Sequence, residues 1–227
     1  MPPLELAFSH RWDLSPAEAA ALQREMRDRV LVSPLDLDGL STVGGVDVGF
    51  VDSRTPQEKA RAAVVVLTYP GLQVVEESTA EIPTPFPYVP GLLSFREIPV
   101  ILAALEKLSA LPDAFLCDGQ GLAHPRRFGI ACHLGVLLDR PGLGCAKSIL
   151  VGRHAPLDEA AGSTTELVDR GETVGAAVRT RHGVKPVYIS VGHRMDLPGA
   201  VRLVLDCARG YRLPEPTRLA DRVASRR

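Results

Sequence analysis

Asp47 sits in the apolar run Val46-Asp47-Val48, with Gly45 and Gly49 on either side. A carboxylate in such a setting is costly to bury unless it is hydrogen-bonded, paired or bound to a metal. On a strand, residues 45, 47 and 49 share one face, so the glycines leave that face bare and a bulky ligand or metal cluster could approach. A structural aspartate held by backbone donors or an arginine is the plain alternative. Asp118 repeats the theme, ending the run Ala114-Phe115-Leu116-Cys117 just before Gly119-Gln120-Gly121. Carboxylates at the centres or ends of neighbouring strands converge on one spot and suit hard divalent cations. A turn made with the two glycines competes with that reading. Glu97 closes Ser94-Phe95-Arg96-Glu97, which matches a helix capping box and needs no chemistry. Pro99, two residues further, crowds that turn and leaves metal binding equally open.

Three carboxylates on separate elements are what a two-metal phosphodiesterase requires, since each Mg²⁺ keeps several waters and takes only one or two protein carboxylates. Two such ions roughly 4 Å apart stabilise both the attacking and the leaving oxygen. Around these acids stand further candidates. His124, in His124-Pro125-Arg126-Arg127, could position or deprotonate water or contact a phosphate; a surface-loop histidine is the alternative. Lys147 could stabilise charge developing on a phosphate, or be merely solvated. His193 reads as structural. Tyr88 lies between Pro87 and Pro90 on a stiff backbone that could present its ring to stack on a base or wedge into a duplex step; the alternative is a core-packing tyrosine.

The elements that must position these residues follow from local signals. Ser15-Pro16-Ala17-Glu18 opens a helix by N-cap, first-turn proline and capping box, predicting a helix over about 15–31. Strands are expected at 42–51, 61–69 and 73–82, with Pro70-Gly71 as a turn, giving an antiparallel meander. A proline-rich loop at 83–91 precedes helical sequence to Leu108, a short strand at 114–118 and a helix over about 128–138. Two further strands, about 146–151 and 184–191, flank a segment rich in Thr, Glu and Gly. A last helix runs from about 197 to 207, and a proline-broken basic tail covers about 208–227. The fold class is α/β: a mixed sheet, an antiparallel three-strand meander plus parallel strands, flanked by helices in the order expected of a ribonuclease H-like fold. One domain over residues 1–227 is expected. No G-x-G-x-x-G follows a strand, so a dinucleotide fold is disfavoured.

With 227 residues, 45% of them hydrophobic, and 26 Lys+Arg against 27 Asp+Glu, the composition is that of an ordinary globular chain and excludes a disordered one. No apolar run approaches the roughly 20 residues of a membrane span, and the first residues, Met-Pro-Pro-Leu-Glu, carry no secretory leader. From residue 181 onward ten Lys/Arg face four acids, a local excess that fits a phosphate-binding surface or a solvated Arg-rich helix. Cys117, Cys132, Cys145 and Cys207 form no C-x-x-C pair, and reduced buried thiols in a cytoplasmic protein are expected.

Taken in order, several motifs resemble the endonuclease V (deoxyinosine 3′ endonuclease) family over almost the whole chain. They are Gly44-Gly45-Val46-Asp47-Val48, Pro87-Tyr88-Val89-Pro90-Gly91 with Ser94-Phe95-Arg96-Glu97, and Cys117-Asp118-Gly119-Gln120-Gly121 with His124-Pro125-Arg126. Gly144-Cys145-Ala146-Lys147-Ser148 and the segment from Tyr211 to Arg218 complete the set. The resemblance implies Mg²⁺-dependent nicking of DNA, with Mn²⁺ as substitute, at the second phosphodiester bond 3′ to deoxyinosine, leaving 3′-hydroxyl and 5′-phosphate ends. It implies that Asp47, Glu97 and Asp118 bind metal, that His124 and Lys147 assist, and that Tyr88 and Pro90 belong to a strand-separating wedge. Gly91, Leu93, Gly119, Gly129 and Ile130 would line the pocket for an extruded base. DNA containing deoxyinosine is the expected partner, met by a monomer with no membrane role. Inosine-containing RNA as substrate, and a protein that binds damaged nucleic acid without cutting, are the competing readings. A serine or cysteine hydrolase is disfavoured, for no G-x-S-x-G elbow or activated thiol appears.

Overall fold

The computed structural model describes residues 4–53, 55 and 57–226. Residues 1–3, where no leader was expected, and Arg227 at the end of the basic tail lie outside the described residues. Helix α1 (Pro16–Arg27) starts as its signals dictate: Ser15 caps it, the Glu18 N–H donates to Ser15 Oγ at 3.3 Å, and the Glu18 carboxylate accepts the Ser15 N–H at 2.8 Å. It ends a few residues short of the expected limit. Strands β1 (Thr42–Val51), β2 (Lys59–Thr68) and β3 (Val74–Pro83) form the antiparallel meander, Asp47 facing Ala63 across the β1–β2 pair.

Helix α2 (Leu93–Leu105) removes one of the two readings open for Glu97. Its N-cap is Leu92, with no side-chain capping bond, so Ser94 and Glu97 form no capping box. Ser94 Oγ instead meets His133 Nδ1 at 3.0 Å, and Glu97 is freed for other contacts. Strand β4 (Ala114–Cys117) and helix α3 (Ile130–Leu138) follow. Strand β5 (Gly142–Ala146) then ends where a strand was expected to begin, because Ile149 and Leu150 lie exposed in a loop rather than in the sheet.

The Thr-, Glu- and Gly-rich segment contains an unexpected hairpin, β6 (Thr164–Asp169) and β7 (Glu172–Val178). It turns at Arg170 and Gly171, whose φ values of 55° and 83° are those of a type I′ connection. Strand β8 (Val187–His193) and helix α4 (Leu197–Asp206) precede a further correction: the supposed basic tail contains helix α5 (Glu215–Ala224), with Pro216 in its first turn.

The eight strands form one sheet in the order β3-β2-β1-β4-β5-β8-β7-β6, with β1, β4 and β5 parallel and the remaining pairs antiparallel. This is the ribonuclease H-like arrangement. One core joins α1, α2 and α3 to one face, around Val46, Ala62, Val64, Ile98, Phe115 and Leu134. The other joins α4 and α5 to the opposite face, around Val43, Val65, Leu143, Leu203 and Val223. All four cysteines are buried and free, as expected. Among the described residues, no helix is long and apolar enough to cross a membrane.

His133 is enclosed by Trp12, Phe95 and Phe128, and burial holds its pKa well below the ordinary 6.5. His124 is lowered to about 4, first by burial and then by Arg126. At these two rings the unfolded chain binds more protons than the folded one below about pH 6.5, so the contribution of each, full above that value, is lost as pH falls. The raised carboxyls of Asp47 and Glu97 act with the opposite sign in the same window, so the histidine contribution is read as a difference between parent and variant. In urea unfolding, the stability of the parent relative to His124→Asn should decline between about pH 6.5 and 5, by up to roughly 1.4 kcal/mol per pH unit. A difference that is constant across that window would contradict the assignment.

Candidate active site

The parallel strands β4 and β5 deliver Asp118 and Lys147 to one place, each residue standing immediately beyond its strand's carboxyl end. Strand β1 runs on past them. Its pairing with β4 stops at Val46 and Cys117, the Asp118 N–H still donating to the Val46 carbonyl at 3.0 Å, so Asp47 emerges where the sheet opens. Such a crevice, outside the carboxyl ends of parallel strands, is where α/β sheets place ligands.

A third carboxylate completes the group, and it is not one of those expected. Oxygens of Asp47, Asp118 and Asp221 all lie within 4.8 Å of one another. Asp221 comes from α5, which lies on the face that Gly45 and Gly49 leave bare. A Cβ on Gly45 would stand 1.9 Å from the Pro216 carbonyl oxygen, and one on Gly49 3.4 Å from that of Ala224. The bare face is thus filled by a helix that brings its own acid, rather than kept open for a ligand. The sequence signal for α5 is the spacing of Thr217, Ala220, Val223 and Ala224, all buried, after Pro216; the surrounding arginines obscure it.

Glu97 stands outside that trio but faces the same cleft, only 7% exposed. Burial first, then the charges of Asp47 and Asp118, push its carboxyl well above the usual range. Asp47 is pushed up to about 7, again chiefly by burial and then by Asp118, with Lys147 opposing. The Lys147 ammonium lies 2.6 Å from Asp118 Oδ2 and 2.9 Å from Asp221 Oδ1. Burial alone would lower its pKa, but these two hydrogen bonds outweigh that and raise it. Four carboxylates face one ammonium, with no thiol or imidazole among the donors. An all-oxygen set with excess negative charge fits a hard divalent cation.

A cleft of about 460 Å³ is lined by Asp47, Glu97 and Asp118, by His124 and Lys147, by Tyr88 and Pro90, and by Gly91, Leu93, Gly119, Gly129 and Ile130, all of them expected from the sequence. Tyr88 does not pack into the core. It is 72% exposed, while Phe86 and Leu92 on either side are buried and anchor its loop against α1. Gly91 adopts φ +79°, a conformation that L side chains rarely take. His124 Nε2 donates to the Gly91 carbonyl at 3.0 Å and its Nδ1 accepts the Arg126 N–H at 3.2 Å, so both ring nitrogens are engaged. His193 has the structural place expected: Nδ1 accepts the Leu31 N–H and Nε2 donates to Asp139.

A family model described as Endonuclease V matches residues 24–222. The chain belongs to the endonuclease V family. The endonuclease V of Trichormus variabilis is 55% identical over 99% of this chain and 100% of its own length. Among solved structures, the endonuclease V of Streptomyces avermitilis superposes with a TM-score of 0.88 at 46% identity, covering 94% of this chain and 92% of that one. That of Ciona intestinalis, in complex with a 24mer DNA containing an inosine followed by a ribo-adenosine, superposes at 0.79 with 29% identity, covering 92% and 95%. As an endonuclease V, the protein is a metal-dependent DNA endonuclease, and its acidic trio stands where the metal chemistry of such an enzyme requires oxygen donors.

Proposed function

We propose that this endonuclease V cuts DNA at the second phosphodiester bond 3′ to deoxyinosine, leaving 3′-hydroxyl and 5′-phosphate ends, with Mg²⁺ as its ion and Mn²⁺ as substitute. The observation that carries the reading is the trio of carboxylate oxygens within 4.8 Å, two of whose members, Asp47 and Asp118, line a cleft that also holds an exposed aromatic. Asp47, Asp118 and Asp221 would hold the ion, and Glu97, buried beside them, completes the oxygen-lined wall of the cleft. When bound, the ion supplies Lewis-acid charge at the phosphate and a water of lowered pKa. Lys147, already between Asp118 and Asp221, is the side chain placed to stabilise charge developing on a phosphate oxygen. His124, neutral and engaged at both nitrogens, holds the Gly91 turn in place and serves the cleft by position.

Tyr88, carried with Pro90 on its buried anchors, separates the strands and stacks on the base left behind. The extruded base enters between Gly91 and Leu93 on one side and Gly119, Gly129 and Ile130 on the other. Hypoxanthine carries a carbonyl where adenine has an amine, so a backbone N–H at that edge is satisfied by inosine and left facing a donor by adenine. Deamination also weakens pairing with thymine, which lowers the cost of extrusion. The inosine-containing DNA bound by the Ciona enzyme supports this reading. The ribo-adenosine in the same complex favours inosine-containing RNA as the second reading, and matched DNA and RNA oligonucleotides separate the two. The enzyme acts as a monomer on this view.

A duplex with one inosine, incubated with Mg²⁺ and then with excess EDTA, should be nicked once at the stated bond and spared after chelation. Equal cutting at adenine, or cutting that persists in EDTA, removes the reading. Tyr88→Ala should slow duplex cleavage by about tenfold or more, as loss of one base–aromatic stack implies, and affect a single-stranded inosine substrate less. Measuring both rates on matched substrates checks the wedge directly.

A further inference from the structure

Helix α1 contributes Ala19, Gln23 and Met26 to its buried stripe, and Gln23 is the polar one of the three, only 1% exposed. A carboxamide buried that deeply must be paired, and this one is paired throughout. Gln23 Nε2 donates to the Gly91 carbonyl at 3.1 Å and to the Phe128 carbonyl at 3.2 Å. Its Oε1 accepts from Arg126 Nε at 2.5 Å. Two acceptors on one side and a guanidinium on the other determine which way the amide points.

The two carbonyls belong to two separate segments beside the cleft, which Gln23 itself also lines. Gly91 follows the Tyr88 loop; Phe128 precedes Gly129 and Ile130 at the start of α3. Each peptide is also held at its far end, the Leu92 N–H by the Val89 carbonyl at 2.9 Å and the Gly129 N–H by the Gly121 carbonyl at 3.0 Å. Arg126 Nη2 adds a donor to the Gly91 carbonyl. One side chain from the N-terminal helix therefore joins both segments and sets the direction of a peptide in each.

We infer that Gln23 is a specificity-determining positioning residue, whose carboxamide sets the spacing of the two walls between which the extruded base is read. It acts through Gly91 and Phe128, and the inference rests on the proposed base pocket. Loosening the walls costs most where the base edge must meet backbone groups at hydrogen-bond distance, and least where no such match exists.

Gln23→Glu preserves shape and the Arg126 contact but replaces the amide nitrogen, which donates to both carbonyls, by one oxygen that faces them; Gln23→Met removes all three bonds at similar volume. Cleavage of matched duplexes carrying inosine or adenine at one position is measured with excess enzyme, beside thermal unfolding. Both variants should lose about tenfold in rate on inosine and change little on adenine, so the preference narrows by about tenfold, the size expected for two lost hydrogen bonds. An unchanged preference in a folded variant, an equal loss on both substrates, or failure of both variants to fold overturns the inference. A parent enzyme without inosine preference sinks the base-pocket reading itself, a separate and recognisable failure.

Discussion

Asp118→Asn should cleave an inosine duplex about a thousandfold more slowly than the parent, equivalent to about 4 kcal/mol of transition-state stabilisation. Asp118 is the hub of the acidic group: its carboxylate shares the trio with Asp47 and Asp221, accepts the Lys147 ammonium, and raises the pKa of both Asp47 and Glu97. Asparagine keeps the shape and removes the charge. In the absence of divalent ions the variant should unfold within a few degrees of the parent, since relief of the repulsion on Asp47 and Glu97 offsets the lost ion pair with Lys147. Mg²⁺ should raise the thermal midpoint of the parent, because an ion that binds only the folded state stabilises it, and should leave that of the variant nearly unchanged. Single-turnover cleavage together with thermal scans at several Mg²⁺ concentrations gives both readouts. A variant that cuts at the parental rate would remove the carboxylate trio from the chemistry. A variant that is inactive because it is unfolded would show no cooperative thermal transition.

Gly45→Ala should be nearly as damaging by a different route. The added methyl would stand 1.9 Å from the Pro216 carbonyl oxygen, a backbone atom at the start of α5 that cannot swing aside. The helix must lift from β1. Overpacking of this kind costs about 1–3 kcal/mol, and displacement of α5 also draws Asp221 away from Asp47 and Asp118. Reduced urea stability and a loss of cleavage should therefore appear together. Gly49→Ala is the internal control: its Cβ would meet the Ala224 carbonyl oxygen at 3.4 Å, an ordinary contact, and both properties should be close to those of the parent. Equal behaviour of the two variants would show that α5 does not depend on the bare strand face.

Local pattern was enough for much of this protein. The apolar stretches of β1 and β2 and the capping box of α1 are signals spanning a few residues, and the folded chain uses them as read. Asp47 and Asp118 were recognisable because an acid inside an apolar strand is anomalous wherever the strand goes. Glu97 could not be resolved the same way, since a capping box and a buried acid are spelled identically; only the start of α2 at Leu93 separates them. The hairpin β6–β7 was hidden because its strands alternate weakly and its turn uses Arg-Gly rather than Asn-Gly.

Three features belong to the tertiary structure alone. Asp221 sits on an arginine-rich helix and becomes an active-site acid only because α5 docks against Gly45, far away in sequence. Gln23 looks like any helical glutamine until Gly91 and Phe128 are brought to it from two loops. His124 reads as a candidate base in its sequence context; in the fold, burial and the charge of Arg126 keep it neutral, and hydrogen bonds at both ring nitrogens tie it to Gly91 and Arg126. The residue types and the strands that bear them are set by short-range pattern, whereas charge state and mutual distance depend on which surfaces exclude water together. That exclusion is a property of the packed chain, and no run of neighbouring residues contains it.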